Sequence, residues 1–247
     1  MIDIDAYILI GGRSSRLGRD KAAAELGGRT LAERALETVS AALPDTRITF
    51  VAANEAQFAI DAIIAGGRFI SDLLEGRGPL GGLHAALSDT QAEWIFLMAC
   101  DYPFISSEFI QLLIEKDRSG FGAVVPTQFD GRMQPLTALY RVETARPVVQ
   151  EIIDRPRVPP PLHEIVKELK PLIVTPSDYR HLAGADKLFM NEDDREHYFN
   201  PCRFGLPAQD SWIYFSAESL RSISRARSRS TPVLMLVKNP SDPAKCR

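Results

Sequence analysis

Residues 7–26 read Y-I-L-I-G-G-R-S-S-R-L-G-R-D-K-A-A-A-E-L, and the organisation of the chain follows from them. The apolar run Tyr7 to Ile10 is expected to be the first strand of a sheet. Gly11 and Gly12 follow at once, then a loop carrying Arg13, Arg16, Arg19 and Lys21. Glycines directly after a strand let the backbone approach a ligand closely, and successive N–H groups in such a turn cradle anions. The basic side chains make the loop cationic by itself, so a phosphate-bearing substrate is the expected partner. The alternative is a glycine turn with solvated basic residues. The spacing is neither G-x-G-x-x-G nor G-x-x-x-x-G-K-[ST], which excludes the dinucleotide fingerprint and the phosphate loop of ATPases.

At 247 residues and 45% hydrophobic, the chain can bury a sizeable core. Its net charge of -3 gives no global electrostatic case for binding nucleic acid or an anionic membrane. No apolar run approaches the ~20 residues of a spanning helix. The acidic start, M-I-D-I-D, does not resemble a secretory signal. Cys100, Cys202 and Cys246 have neither metal-ligand nor C-x-x-C spacing, and their odd number argues against a disulfide scaffold. A soluble, cytoplasmic protein is expected.

Helical and strand patterns alternate along the chain, which predicts an α/β fold. Thr30–Leu43 is a helix with an apolar stripe of Leu31, Ala35, Leu36, Val39 and Leu43. Ile48–Ala52 is a strand running towards Asn54, which then stands at a carboxyl edge where open α/β sheets bind ligands, or simply forms a turn or cap. Gln57–Ile64 is expected to be helical, Arg68–Ile70 a strand ended by Ser71-Asp72, and residues 74–83 a glycine-dense loop before a helix near His84–Leu87. Within that helix His84 reads as a face residue.

Trp94–Ala99 is the clearest buried strand, and it delivers Cys100, Asp101, Tyr102 and Pro103 at its end. A carboxylate there is costly without a cation or hydrogen bonds. Mg²⁺ favours hard oxygens and often uses only one or two protein carboxylates beside ligand phosphates, so Asp101 is the expected metal ligand. The competing helix-cap role falls to Ser106 or Ser107 instead. Downstream are a helix over Phe109–Ile114, a strand at Ala123–Val125, and a strand over Leu136–Tyr140 that presents Gln134-Pro135 at its start. A helix over Val142–Ile153 is interrupted at Pro147 or has it in a first turn. Residues 155–161 form a linker, followed by a helix at Leu162–Leu169, a strand at Leu172–Thr175, and a polar turn-to-helix segment over Phe189–Tyr198. Beyond Asn200, the arginine-dotted stretch 219–231 and the apolar V-L-M-L-V at 233–237 carry no functional reading.

Four segments resemble the molybdenum cofactor guanylyltransferase family, within the wider nucleotidyltransferase class. They are L-I-G-G-R-S-S-R-L-G-R-D-K at 9–21, D-L-L-E-G-R-G-P-L-G-G-L at 72–83, C-D-Y-P-F at 100–104 and Q-P-L-T-A-L-Y at 134–140. The resemblance implies a three-layer, Rossmann-like fold with a mostly parallel mixed sheet over residues 1–200, and residues 201–247 as a C-terminal extension. It implies that Leu9, Ile10, Gly11, Gly12, Lys21, Asn54, Asp72 and Asp101 bind the nucleotide. Lys21, Arg16 and Asp101 would serve catalysis, with Asp101 holding Mg²⁺. Arg19, Gln134, Pro135 and Asn191 would face the pterin, although F-M-N-E-D-D at 189–194 lacks the threonine and proline of the family's N-x-N-T-P-E-D-like segment. The implied reaction is transfer of GMP from GTP to molybdopterin with release of pyrophosphate, with transient contacts to molybdopterin-loading proteins or molybdoenzymes. Two alternatives stand beside it: a sister enzyme using CTP or a sugar or polyol phosphate, and a non-catalytic GTP-binding regulator.

Overall fold

The structure is a computed structural model that describes residues 3–10, 21–52, 68–72, 74, 77–155, 158–191, 198–199 and 213–214. The chain divides into two compact units, residues 1–192 and 193–247. In the first, seven strands make one sheet: β1 (Ile4–Leu9), β4 (Ile48–Ala52), β5 (Arg68–Ser71), β6 (Trp94–Ala99), β7 (Ala123–Pro126), β8 (Thr137–Arg141) and β9 (Pro171–Val174). Their order is β5-β4-β1-β6-β8-β7-β9, and only β8 runs against the rest. The α/β reading with a mostly parallel mixed sheet is therefore correct.

Both sheet faces are covered, which is why the central strands read as unbroken apolar runs. Ala6, Ile8 and Ile10 of the first strand segment, with Trp94, Phe96 and Met98 of β6, pack under α1 (Leu31–Ala42) and α3 (Ser107–Glu115). The alternate residues Tyr7, Leu9, Ile95 and Leu97 pack under α2 (Pro79–Asp89), α4 (Val142–Asp154) and α5 (Leu162–Glu168). Thr30 starts α1 with a capping box: its hydroxyl accepts from the Glu33 N–H while the Glu33 carboxylate accepts from the Thr30 N–H. Ser106 caps α3 through the Phe109 N–H at 3.2 Å, so the serine does the job that would otherwise have fallen to Asp101.

The structure corrects several boundaries. β1 begins at Ile4 rather than Tyr7, because the Asp5 within it is satisfied: its carboxylate accepts from Arg47 and, at 2.6 Å, from the Thr90 hydroxyl. α2 begins at Pro79, not near His84. Proline suits a first helical position, and the two glycines that look like loop are helical. Pro147 lies inside a continuous α4 instead of interrupting it or sitting in a first turn. Both Pro147 and Glu143, whose carbonyl loses a donor there, are exposed to water. Tyr198 is in a strand rather than a helical segment: β10 (Tyr198–Phe199) pairs antiparallel with β11 (Ile213–Tyr214) in the second unit. Other small elements were not anticipated either, and two of them belong to the first unit's framework. One is the hairpin of β2 (Glu25–Leu26) and β3 (Arg29–Thr30), turned by Gly27 and Gly28 at φ 62 and 77. The other is α6 (Pro176–Tyr179). The expected helix at 57–64 and the arginine-dotted tail lie outside the described residues.

At the edge where the parallel strands begin, a polar network closes the sheet. Tyr7 is fully buried and its hydroxyl donates to Asp89 Oδ2 at 2.7 Å. Arg68 grips the same carboxylate with both terminal nitrogens, one at 2.6 Å. That grip, ahead of the Tyr7 bond, holds the Asp89 carboxyl below the usual carboxylate range. A depressed carboxyl contributes stability that is fully present above its unfolded pKa and lost as pH falls through the folded value. Asp89→Asn should therefore cost about 1.5–3 kcal/mol at neutral pH. Urea unfolding across pH should show the difference between variant and wild type shrinking below about pH 4.

Candidate functional site

The chain passes from β1 through α1 to β4 on one side, and from β5 through α2 back to β6 on the other. Strand order thus reverses between β1 and β6, and the crevice at the carboxyl ends of such strands is where open α/β sheets bind ligands. Main-chain bonds tie the strand exits together at this edge. Asp72 N–H donates to Ala52 O at 2.7 Å, and Ile10 N–H to Val51 O at 3.0 Å. Cys100 N–H donates to Leu9 O at 3.1 Å, and Ala99 N–H to Leu136 O at 2.9 Å. Four strand exits, of β5, β4, β1 and β6, and the entry of antiparallel β8 stand side by side, and at ordinary strand spacing the row is about 19 Å across.

Of the expected site residues, Leu9, Ile10, Asp72, Asp101, Gln134 and Pro135 fall along this row. Leu9 and Ile10 are buried at the end of the first strand; the Leu9 carbonyl and the Ile10 N–H are already used in the sheet. Their backbone consequently aims the chain at residue 11 rather than offering these two groups to a ligand. Gly11, Gly12, Arg16, Arg19 and Asn54 lie outside the described residues. Lys21 opens a short 3-10 turn, Lys21–Ala23.

Asp72 leaves β5 partly buried, and its Oδ1 accepts the Leu74 N–H at 2.9 Å. Its carboxylate lies flat on α2 at Gly81, where a Cβ would meet both oxygens at 2.4 Å. Only glycine permits that approach. One residue on, a Cβ at Gly82 would come within 2.8 Å of Leu9 Cδ2, so the same pair of glycines also seats the helix on β1. Burial pushes the Asp72 carboxyl above its ordinary value, opposed by the Leu74 bond and by nearby His84. His84 itself, on α2, shares a 3.0 Å hydrogen bond with Gln150 Oε1 of α4, consistent with a helix-face residue.

Asp101 follows β6, partly buried, between the β1 exit and the β8 end of the row. Among the described residues, no three histidines, cysteines or acidic groups cluster as a metal cage. The donor set at this edge is instead a carboxylate on one strand exit, which suits a hard cation completed by water and substrate phosphate.

On the far side of Asp101, Gln134 and Pro135 enter β8. Gln134 is 7% exposed, and its Oε1 accepts the Tyr102 hydroxyl at 3.0 Å. The Pro135 carbonyl accepts the fully buried Tyr140 hydroxyl at 2.6 Å. Tyr102 meets the Phe189 ring edge-on at 6.4 Å, which brings the 189–191 segment, with Asn191, to this end of the row. Phe189 packs in turn on Phe109 and Tyr179. Sequence reading missed Tyr102 and Phe189 as site-forming residues. C-D-Y-P-F was in view, but nothing local pairs position 102 with position 134.

The MobA-like NTP transferase domain model matches residues 6–167. The chain is 28% identical over 193 residues to a probable molybdenum cofactor guanylyltransferase of Bacillus anthracis, covering 77% of this chain and 92% of that one. It is 30% identical over 145 residues to a probable molybdenum cofactor guanylyltransferase of a Geobacillus species, covering 57% and 71%. The solved structure of molybdopterin-guanine dinucleotide biosynthesis protein A from Archaeoglobus fulgidus superposes with a TM-score of 0.64 at 25% identity, over 78% of this chain and 95% of that one. The basic sequence that follows β1, a carboxylate leaving β6 and these likenesses agree, and the chain is a nucleotidyltransferase that belongs to the MobA-like NTP transferase family.

Proposed function

We propose that this enzyme transfers GMP from GTP to the terminal phosphate of molybdopterin, releasing pyrophosphate, in the cytoplasm and with Mg²⁺ as cofactor. The observation that carries the reading is the row of strand ends itself: Asp72 at one end, Gln134-Pro135 at the other, and Asp101 on the strand beside the latter. A row of that width accommodates a nucleotide on the β5 side and a second substrate on the β8 side, with their phosphates meeting near Asp101. The relatives named above support the choice of GTP and molybdopterin. The transfer function is assigned to residues 1–200, with 201–247 as an extension. Molybdopterin-loading proteins or molybdoenzymes are the proposed transient protein partners.

A molybdopterin phosphate oxygen attacks the α-phosphorus of GTP in line. The new P–O bond forms as the bond from the α-phosphorus to the bridging oxygen breaks, and the electron pair leaves with pyrophosphate. No protein nucleophile is required, so catalysis rests on positioning and charge compensation. Lys21 and Arg16 counter the charge that moves onto pyrophosphate, while Arg19 holds the acceptor phosphate. Gly11, Gly12 and Asn54, together with Asp72, hold the nucleotide, Leu9 and Ile10 anchor the start of its loop, and Asn191 borders the acceptor. Asp101 is the residue that would hold Mg²⁺. When bound, that ion neutralises phosphate oxygens and polarises the reacting phosphorus.

Pyrophosphate release should appear with GTP only when molybdopterin is added. GTP binding without release would point to a non-catalytic binder, and a preference for CTP to a sister enzyme. Lys21→Ala should lower kcat by about 10²-fold, as loss of one transition-state donor does elsewhere, with circular dichroism unchanged. Asp101→Asn should raise the Mg²⁺ concentration needed for half-maximal rate or abolish turnover; an unchanged Mg²⁺ titration would remove the assignment. Asp72→Asn separates stability from function. A carboxyl whose folded pKa is raised weakens the fold as pH rises through that value. The amide can still accept the Leu74 bond. The variant should thus be at least as stable as wild type at pH 7 in urea, yet bind GTP more weakly in calorimetry.

A further inference from the structure

Asp72 and His84 meet at one place on α2. His84 stands three residues after Gly81, and a helical side chain leans back over the turn that precedes it. The turn that His84 covers is therefore the one on which the Asp72 carboxylate lies, so close to Gly81 that a Cβ there would meet both oxygens. The histidine acts on that carboxyl. Beside the Leu74 bond, its charge opposes the rise that burial causes. No lysine or arginine among the described residues does the same.

The two ring nitrogens face different surroundings. Nε2 lies 3.0 Å from Gln150 Oε1 of α4. Gln150 is turned by its other contact, since its NH₂ donates to Asp154 Oδ1 at 3.0 Å and a carboxylate only accepts. The amide thus offers its carbonyl to His84, and Nε2 carries the hydrogen that this bond needs. Nδ1 is left over: it is buried and has no hydrogen-bond partner among the described residues. As a bare lone pair it is an unmade acceptor beside a carboxylate. With a proton it is a donor, on a ring whose positive charge the carboxylate favours. The other charged groups around this part of α2 are engaged elsewhere. Arg146 of α4 donates to the Leu87 and Thr90 carbonyls, and Asp89 is held by Arg68 and Tyr7.

Resting on the nucleotide subsite of the transfer reading above, we propose that His84 is a positioning residue for Asp72: held at Nε2 by Gln150, it turns Nδ1–H towards the carboxylate and keeps it seated on Gly81 as an anionic acceptor for the nucleotide. The histidine works through Asp72 and not on the substrate. Without it, burial favours a neutral acid at residue 72, which has one acceptor fewer to offer the ligand.

Two isosteres divide the ring. His84→Asn places an amide NH₂ where Nδ1 stands and gives up the Gln150 contact. His84→Gln places its amide where Nε2 stands, keeps that contact and leaves the Nδ1 position empty. GTP affinity of the full-length protein with Mg²⁺ is read by calorimetry. His84→Gln should weaken GTP about 5-fold, the upper range for a charge pair near a surface. His84→Asn should stay within about 2-fold of wild type. In an Asp72→Asn background His84→Gln should add nothing, because the group it acts through is gone. The proposal is overturned if His84→Gln binds GTP like wild type, if His84→Asn loses as much or more, or if His84→Gln costs the same in both Asp72 backgrounds; a histidine that only bridges α2 and α4 gives the second or third result. The two readings fail separately. Asp72→Asn with unchanged GTP affinity removes the nucleotide subsite and this inference with it, whereas weaker binding by Asp72→Asn but not by His84→Gln removes this inference alone. The expected isostere pattern without pyrophosphate release on adding molybdopterin keeps this inference and removes the transfer reading.

Discussion

The Leu9 carbonyl oxygen accepts the Cys100 N–H at 3.1 Å, and this bond joins the exits of the two central strands. On one side of it the chain continues into the basic sequence that begins at residue 11; on the other it delivers Asp101. The six-residue parallel register between β1 and β6, Ile4 to Trp94 through Leu9 to Ala99, sets that alignment. A one-residue slip would turn every side chain to the opposite face, exchanging Phe96 and Met98 with Ile95 and Leu97 between two differently shaped cores. The packing of the sheet and the alignment of the site are therefore one constraint.

The two edges of the sheet solve different problems. At the edge where the parallel strands begin, charges are closed off in pairs: Asp89 with Arg68 and Tyr7, Asp5 with Arg47 and Thr90. At the carboxyl edge, main-chain bonds settle the strands themselves, while side-chain groups stand at their ends. Asp72 is pressed onto Gly81 with its carboxyl pushed upward by burial. Unfavourable local terms of this kind concentrate where a ligand can relieve them.

The glycines of G-P-L-G-G-L show how a motif can be seen without its purpose being visible. They look like a flexible loop, and two of them are instead helical positions stripped of a side chain. Gly81 makes room for a carboxylate from residue 72, and Gly82 makes room for Leu9. Both partners come from other strands, so local propensity points the wrong way. A helix interior tolerates the cost of glycine, about 1 kcal/mol each, when close approach returns more.

From the sequence alone, the α/β class, the strand at residues 94–99, the capped helix starting at Thr30 and the membership of a nucleotide-transferring family could all be read. These rest on local pattern: apolar runs of strand length, a 3.6-residue stripe, and a basic glycine loop whose spacing is specific. The antiparallel insertion of β8 could not be read, since pairing direction depends on where the chain returns. Nor could the closeness of Asp72 to Gly81, or of Tyr102 to Gln134 thirty-two residues later. Such contacts are made between elements that meet only after the sheet has formed. Tertiary structure alone decides which polar atoms are satisfied within the protein and which are left for a substrate.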